Sequence, residues 1–203
     1  VCLVYSPGLL ERRMRYTLLP PPEFNPHSKP MTTQEPIQFT RGVPTDEALC
    51  PDTIGACCAA ALRKFGAKAV QYGTVLGFSP LLECLAEWYD VGVDQVLASN
   101  SSLQIFDLLC QVMLQPGDSV MTEVPTYDRA IAVLRRHGAD IHGIPLEPDG
   151  PSMEQLETVV EARKPRFFYV IPDFQNPSGI TYSAGKRDQL IRLAREHRFS
   201  IIE

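Results

Sequence analysis

The stretch Phe-Phe-Tyr-Val-Ile-Pro-Asp-Phe-Gln-Asn-Pro-Ser-Gly, residues 167–179, decides how the fold is predicted. It opens with an apolar run, residues 167–171, which is typical of a strand buried on both faces. Pro172 ends the strand, and Asn176 is the strongest hydrogen-bonding group of the loop that follows. Open α/β sheets bind ligands at the carboxyl ends of their strands. A plain turn also accounts for most Asn-Pro pairs, but two other strand ends of this chain have a similar character.

Composition and charge restrict the class of protein. The 203 residues are 44% hydrophobic and 21% charged, with a net charge of -5, which is ordinary for a globular domain. The sequence shows neither the basic face that nucleic acid requires nor an apolar run near the ~20 residues of a membrane span. The first ten residues make a poor signal peptide. These features predict a cytoplasmic protein that binds neither nucleic acid nor membranes.

Cysteine and histidine usage predicts a reducing compartment without a structural metal. None of the six cysteines forms a Cys-x-x-Cys pair, and several fall on apolar helix faces. We therefore expect buried free thiols. The four histidines do not stand at ligand spacing, so no metal is expected.

Proline content divides the chain into two parts. Residues 1–51 hold nine of the 18 prolines, which excludes long helices and predicts an extended arm. A disordered tail fits residues 1–30 equally well. From residue 52 to residue 203 the periodicity is first helical and then alternates between strand and helix. We interpret residues 52–203 as a partial globular domain.

Repeated strand–helix units predict a three-layer α/β/α fold with a mainly parallel sheet. Helices are predicted over residues 52–65 and from residue 79, where Ser-Pro restarts one. A capping box at Ser152 and Gln155 predicts the start of another helix. The predicted strands are residues 95–99, 119–123, 141–144, 167–171 and 200–203. Because the chain ends inside a strand, we expect it to be truncated at the carboxyl end.

Three loops that follow predicted strands carry residues suited to one ligand. Ser101 and Ser102 begin a helix, whose free N–H groups and dipole attract a phosphate, although serine is also an ordinary N-cap. Tyr127 places a ring where it could stack on a planar ligand, or it is a core tyrosine. The amide of Asn176 could donate to a phenolate oxygen. Together the three loops describe a planar, phosphorylated aromatic cofactor.

Six short motifs between residues 37 and 203 carry a family resemblance. They are Phe39-Thr-Arg-Gly-Val-Pro44, Gln71-Tyr-Gly73 with Gly77, Asn100-Ser-Ser102, Pro116-Gly-Asp118, Glu123-Val-Pro-Thr-Tyr127 and Phe174-Gln-Asn-Pro-Ser-Gly179. With these motifs in register, the chain resembles the fold-type I pyridoxal-phosphate aminotransferases of class I/II, and most closely their aminoadipate- and valine-type branch. The resemblance implies that residues 52–203 are a partial large domain that binds pyridoxal 5'-phosphate (PLP).

The resemblance also implies residue roles at the cofactor. Ser101, Ser102 and Leu103 would hold its phosphate, and Tyr127 would stack on the pyridine ring. Asn176 would hydrogen-bond the phenolic oxygen of the ring, favouring its anionic form. The family usually has glycine where Ser101 stands and a polar residue where Leu103 stands. Because backbone amides hold the phosphate, these two departures weaken the site only mildly.

Further implied roles concern the substrate and a second subunit. Gly42 and Asn176 would lie near the substrate, since only glycine lets the backbone approach a substrate carboxylate closely. Tyr72 would reach the phosphate bound by the neighbouring subunit, which implies a homodimer. The substrates would be an amino acid and a 2-oxo acid, between which an amino group is transferred.

The family's catalytic groups are expected beyond Glu203. They are the Schiff-base lysine, an aspartate at the pyridine nitrogen and a substrate-binding arginine. None of the five lysines stands at the Schiff-base position, so we expect no catalytic residue within this chain and no turnover by the chain alone. The alternative is a non-catalytic remnant or regulator that binds PLP or a partner. A nicotinamide-binding domain is excluded because no Gly-x-Gly-x-x-Gly follows a strand.

Overall fold

The computed structural model describes residues 44–203 and the backbone of a short strand, β1 (Val4–Tyr5). The described residues form two compact units, one of residues 44–96 and the other of residues 97–203 with β1. The predicted role of Gly42 falls outside the described residues. The predicted division into an arm, residues 1–51, and a partial large domain, residues 52–203, stays a prediction.

The unit of residues 44–96 is helical. It contains α1 (Pro51–Phe65) and α2 (Ser79–Tyr89), together with three short 3₁₀ helices, Asp46–Ala48, Gly66–Ala69 and Val93–Gln95. Both longer helices have a proline in their first turn, where the missing N–H costs nothing. The rings of Phe65 and Phe78 meet edge to face with centroids 5.1 Å apart. Both helices predicted for this part of the sequence are confirmed.

The unit of residues 97–203 is a sheet covered by four helices. Its strands are β2 (Ser119–Val124), β3 (Asp140–Glu147), β4 (Gly150–Pro151), β5 (Phe167–Tyr169) and β6 (Ser200–Ile202). Its helices are α3 (Ser102–Met113), α4 (Asp128–Arg136), α5 (Met153–Arg163) and α6 (Ala184–His197). The strand order is β1-β6-β5-β2-β3-β4. The four central strands run parallel, and β1 and β4 join the edges antiparallel.

Alternating side chains of the central strands face two separate helical layers. One buried cluster joins α3 and α4 to Val120, Phe167 and Ile202 of the sheet. The other joins α5 and α6 to Met121, Phe168 and Ile201. Since successive strand residues point to opposite faces, each strand supplies both layers. The predicted three-layer α/β/α fold with a mainly parallel sheet is confirmed, and so is the burial of the apolar run after residue 166 on both faces.

The predicted strand at residues 95–99 is wrong. A 3₁₀ helix covers Val93–Gln95, and residues 96–99 follow without pairing to any described strand. The Gln95 side chain accepts a hydrogen bond from the N–H of Gly92 at 3.0 Å and thereby holds the turn closed. Local side-chain bonding therefore overrides the apolar character of the segment.

Two smaller expectations also fail. Ser152 stands at the N-cap of α5, but its side chain makes no capping hydrogen bond. The five described cysteines form no disulfide bond with one another, yet only Cys110 is buried. Cys57 and Cys58 lie on α1, which has no buried residue, and both are exposed. An apolar helical face in the sequence thus does not reveal what covers it.

The helices of the described residues carry too few apolar residues in sequence for any of them to cross a lipid bilayer. Nor do the histidines, cysteines and carboxylates of residues 44–203 gather into a group of three or more that could hold a metal ion.

Replacing Phe168 by alanine should lower the free energy of unfolding by about 3–5 kcal/mol, because its buried ring fills the layer between the sheet and α5 and α6. Urea titration followed by circular dichroism measures the loss. Val112→Ala is the matched control, since Val112 is 83% exposed and its replacement should change the value by less than about 0.5 kcal/mol. Equal effects of the two variants would contradict the described core.

Candidate functional site

The carboxyl ends of β2 and β5 lie side by side and are continued by two loops that touch. Thr122 of β2 pairs with Tyr169 of β5, so the chains that leave these strands begin as neighbours. The amide nitrogen of Gln175 donates to the carbonyl of Pro125 at 2.8 Å, which joins the loop after β5 to the loop after β2. This edge of the sheet is where open α/β sheets hold their ligands.

The loop after β5 is closed at its base by Arg187 of α6. The guanidinium donates to the carbonyl of Tyr182 at 3.2 Å and to the carbonyl of Pro172 at 3.0 Å, and it forms an ion pair with Asp173 at 2.7 Å. The N–H of Tyr182 also donates to Pro172 at 2.8 Å. These bonds fix the two ends of residues 172–182 against each other, so the loop projects from a rigid base.

The side chain of Gln175 forms the centre of this loop. It is 1% exposed, and its carbonyl oxygen accepts from the N–H of Ser178 at 2.9 Å and from its hydroxyl at 2.6 Å. The preceding residue, Phe174, has φ 50°, a strained value for an aromatic residue, and its ring is 73% exposed. Gly179 takes φ 75°, which glycine adopts without strain. The backbone is thus bent so that the side chain of Gln175 is buried in the protein and the side chain of Phe174 is exposed to solvent.

A buried carboxylate, Glu123 of β2, holds Gln175 from below. One oxygen of Glu123 accepts from the hydroxyl of Tyr182 at 2.5 Å and from the N–H of Ile171 at 3.2 Å. The other accepts from the amide nitrogen of Gln175 at 2.9 Å and from the hydroxyl of Thr126 at 3.5 Å. Glu123 is fully buried, and four donors surround it. The carboxylate therefore connects β2, the end of β5 and both loops.

Burial governs the titration of this pair of groups. It raises the pKa of the Glu123 carboxyl, while the hydrogen bonds from Tyr182 and Gln175 act in the opposite direction. Burial and the adjacent carboxylate raise the pKa of the Tyr182 hydroxyl. Tyr182 consequently keeps its proton and acts as a donor to Glu123.

Asn176, the residue singled out from the sequence, sits at the tip of the same loop. It is exposed, and its side chain makes no hydrogen bond with any described residue. Its neighbours Gln175 and Gly179 are bonded to each other through a 2.6 Å contact from the Gly179 N–H to the Gln175 carbonyl. The loop therefore presents an unpaired amide on a backbone that is held on both sides.

The start of α3 leaves two N–H groups for a ligand. Ser101 is the N-cap, and its hydroxyl accepts from the N–H of Gln104 at 3.2 Å, while its carbonyl accepts from the N–H of Ile105. The N–H groups of Ser102 and Leu103, the first two residues of the helix, find no acceptor among the described residues. The first turn of α3 thus has the unpaired backbone donors that binding of an anion requires.

The side chain of Gln104 fixes the approach to this turn. Its oxygen accepts from the N–H of Asn100 at 3.1 Å and from the hydroxyl of Ser99. The Leu103 side chain packs on the cluster beneath α3 and α4. An apolar residue suits this position because only its N–H faces outward.

Ring contacts place the start of α3 at the carboxyl edge of the sheet. Phe106, in the second turn of α3, lies 4.7 Å from the ring of Tyr169 but 6.2 Å from the ring of Phe167. Tyr169 is the last residue of β5 and Phe167 the first. The helix therefore begins beside the end of β5, on the same side as the loop that carries Asn176.

The two remaining predicted residues that the structure describes, Tyr127 and Tyr72, belong to different units. Tyr127 follows the loop after β2, is half-buried and packs against the cluster beneath α3 and α4. It belongs to the same unit as Ser101, Ser102, Leu103 and Asn176. Tyr72 belongs to the unit of residues 44–96, where its side chain is fully exposed.

Sequence reasoning missed the residues that support this edge. Glu123 and Gln175 stand out in the sequence only as parts of motifs, and Gln104 and Tyr182 do not stand out at all. A glutamate in an otherwise apolar strand was an available signal, because a buried carboxylate requires donors around it. Nothing in the sequence indicated that its partners are Gln175 and Tyr182, which lie 52 and 59 residues away.

Comparisons with known proteins agree on one family. A family model described as aspartate amino-transferase matches residues 35–199. Aromatic-amino-acid aminotransferase 1 of Thermococcus litoralis is 34% identical over 186 residues, which cover 86% of this chain and 45% of the relative. A 2-aminoadipate transaminase of Thermus thermophilus is 34% identical over 173 residues, covering 84% of this chain and 44% of that protein. The chain therefore spans about 45% of the length of these curated relatives.

A solved structure gives the same result. The alpha-aminoadipate aminotransferase of Thermus thermophilus, complexed with N-(5'-phosphopyridoxyl)-L-leucine, superposes with a TM-score of 0.74 at 34% identity. The superposition covers 79% of this chain and 41% of that one.

Replacing Ser101 by alanine should lower the free energy of unfolding by about 1 kcal/mol, because α3 loses its N-cap bond to the Gln104 N–H. Ser102→Ala is the matched control, since the exposed Ser102 hydroxyl bonds no described residue, and a change below about 0.5 kcal/mol is expected. Urea unfolding measures both. Equal losses would show that Ser101 does not cap the helix.

Proposed function

Since the chain belongs to the aspartate aminotransferase family, we propose that it forms the cofactor-binding part of a PLP-dependent transaminase. The enzyme moves an amino group from an amino acid to a 2-oxo acid. The observation that carries the proposal is the unpaired Asn176 amide, held on a rigid loop beside the open first turn of α3. This pair of features suits a ligand that has both a phosphate and an acceptor on a ring.

The donor set fits the phosphate of PLP. The N–H groups of Ser102 and Leu103 point out of the helix start, and the helix dipole favours a negative charge there. The Ser101 hydroxyl accepts from Gln104, so its own hydrogen is directed elsewhere and can be donated. Together with the hydroxyl of Ser102, the turn offers four donors to one dianion.

The donor set also fits the ring. Asn176 would donate its amide hydrogens to the phenolic oxygen and would favour the ionised form of that oxygen, because a donor stabilises the charged acceptor. Tyr127, half-buried against the α3 and α4 cluster, offers a supported ring face for stacking. When bound, PLP supplies the electron sink that lets an amino acid lose its α-proton. The residues of this chain bind and orient the cofactor, and the proton-transferring lysine is expected beyond Glu203.

Substrates and assembly follow from the family. We assign the substrate class as an amino acid and a 2-oxo acid, with Gly42 and Asn176 beside the substrate. The names of the relatives mention aromatic amino acids and 2-aminoadipate, so no single amino acid is favoured. Tyr72 is fully exposed and suits a residue that reaches the cofactor phosphate of a second copy in a homodimer. We place the enzyme in the cytoplasm.

PLP binding by the full-length protein tests the proposal. Asn176→Ala should raise by about one unit the pH at which the absorption spectrum of the bound cofactor changes, because a hydrogen bond to a charged group is worth roughly 1.5–3 kcal/mol. Spectrophotometric titration measures the midpoint. Asn100→Ala removes the amide of a second asparagine, which lies just before the first turn of α3, and should leave the midpoint unchanged. A wild-type protein that does not bind PLP would reject the proposal.

The 203-residue chain alone should show no transamination. Of the lysines that the structure describes, Lys186 is engaged by the Glu147 carboxylate at 2.5 Å and by the carbonyl of Pro151 at 2.9 Å. A coupled assay of 2-oxo acid release measures turnover, with the full-length protein as the positive control. Turnover by the isolated chain would contradict the expected place of the lysine.

A further inference from the structure

We propose that the buried pair of Glu123 and Gln175 is a positioning device, which sets the amide of Asn176 in register with the ring of Tyr127. The side chains of the pair make no hydrogen bond with the side chain of either residue. The pair acts through the two loops that carry them. The inference rests on the proposed function in one respect, namely that Asn176 and Tyr127 contact the same cofactor. The mechanical part of the proposal is that the pair holds the two loops in place. It depends only on the hydrogen bonds of Glu123 and Gln175 and not on the cofactor.

Gln175 uses all of its hydrogen-bonding capacity in one place. Its nitrogen donates to Glu123 at 2.9 Å and to the carbonyl of Pro125 at 2.8 Å. Its oxygen accepts twice from Ser178, through the N–H and the hydroxyl. Pro125 precedes Tyr127 by two residues, and Asn176 lies between Gln175 and Ser178. The side chain therefore joins the backbone that carries Asn176 to the backbone that carries Tyr127.

Glu123 fixes which way round the Gln175 amide lies. A carboxylate accepts at both oxygens and donates at neither, so only the NH₂ end of Gln175 can face it. That leaves the oxygen of Gln175 turned toward Ser178. The carbonyl of Pro125 and the N–H of Ser178 require the same orientation of the Gln175 amide. The buried carboxylate thus acts together with these two backbone groups to hold the loop in one geometry.

Stability alone does not explain a carboxylate at this position. Removing a charged group from water costs several kcal/mol, and a well-packed apolar side chain often serves a core equally well. Here the cost is met by donors from four different places in the chain, Thr126, Ile171, Gln175 and Tyr182. Thr126 lies on the loop after β2, and Gln175 and Tyr182 lie on the loop after β5. The arrangement suits a group whose role is to hold those loops in one geometry.

The two oxygens of Glu123 allow a matched pair of variants. In Glu123→Gln the amide oxygen keeps the place that accepts from both Tyr182 and Ile171, so the new NH₂ faces the NH₂ of Gln175. The bond to the loop is lost and the bond to Tyr182 is kept. Tyr182→Phe does the reverse, removing the hydroxyl from one oxygen and leaving Gln175 bonded to the other. Both variants remove one bond from the same buried carboxylate.

Hydrogen exchange measured on the chain without cofactor tests the mechanical part. Glu123→Gln should speed exchange of the Ser178 amide about tenfold relative to the amide of Phe168 in β5, because the acceptor of Ser178 is no longer held. Tyr182→Phe should leave that ratio unchanged, since any general loss of stability affects both amides. Equal ratios in the two variants would overturn the proposal.

Cofactor spectra of the full-length protein test the functional part. Glu123→Gln should shift the pH midpoint of the bound PLP spectrum in the same direction as Asn176→Ala, and Tyr182→Phe should not. A normal midpoint in Glu123→Gln would overturn the positioning role. A wild-type protein without PLP binding would reject the proposed function, whereas the exchange ratio would still decide whether the pair holds the loop.

A third variant keeps the test decisive if Glu123→Gln does not fold. Ser178→Ala changes an exposed residue and removes two bonds of its hydroxyl, the one that it donates to Gln175 and the one that it accepts from the N–H of Ile180 at 3.3 Å. We expect about threefold faster exchange of the residue-178 amide, again relative to Phe168, and a smaller shift of the spectral midpoint in the same direction. No change in either quantity would overturn the proposal.

Discussion

The parallel pairing of β2 with β5 is the constraint on which the site depends. It sets Met121 opposite Phe168 and Thr122 opposite Tyr169, so β5 ends beside Thr122, two residues before the end of β2. Because side chains alternate, Glu123 then lies on the same face as Met121, under the chain that leaves β5. A shift of one residue would turn Glu123 to the other face and leave its charge without donors. The register of two hydrophobic strands thus determines where the polar loop can be anchored.

Much of the fold could be predicted from the sequence, because alternation and helical period are local signals. The two-residue edge strand β4 was not predicted. The strands β2, β3, β5 and β6, the helices and the three-layer architecture were all predictable in this way. Pairing was not: residues 96–99 have strand-like character but no partner among the described strands. The exposure of Cys57 and Cys58 could not be predicted either, since it depends on what covers α1 rather than on its own pattern. These failures share one cause: strand pairing and burial both depend on a second segment of the chain, which a local sequence pattern does not reveal.

The candidate site likewise contains residues that the local sequence indicates and residues that it does not indicate. Tyr127 and Asn176 follow β2 and β5 in the sequence, and Ser101 precedes a helix, so all three could be proposed as ligand-contacting residues from their position alone. Residues that hold those in place are distant in the sequence, and their partners became visible only in three dimensions. The hydrogen bonds of Gln175 with Glu123 and Pro125 join segments about fifty residues apart. Local sequence patterns therefore do not identify supporting residues of this kind.

The departure at Ser101 has a structural explanation. Serine at this position caps α3 and holds the Gln104 N–H, which glycine cannot do. Because the cap takes that N–H and not those of Ser102 and Leu103, the hydrogen bond that stabilises the helix and a ligand at the first turn would use different donors. The side chain of Leu103 packs on the core, whereas its N–H faces outward. Backbone groups can therefore serve a ligand while the side chains of the same residues serve the fold.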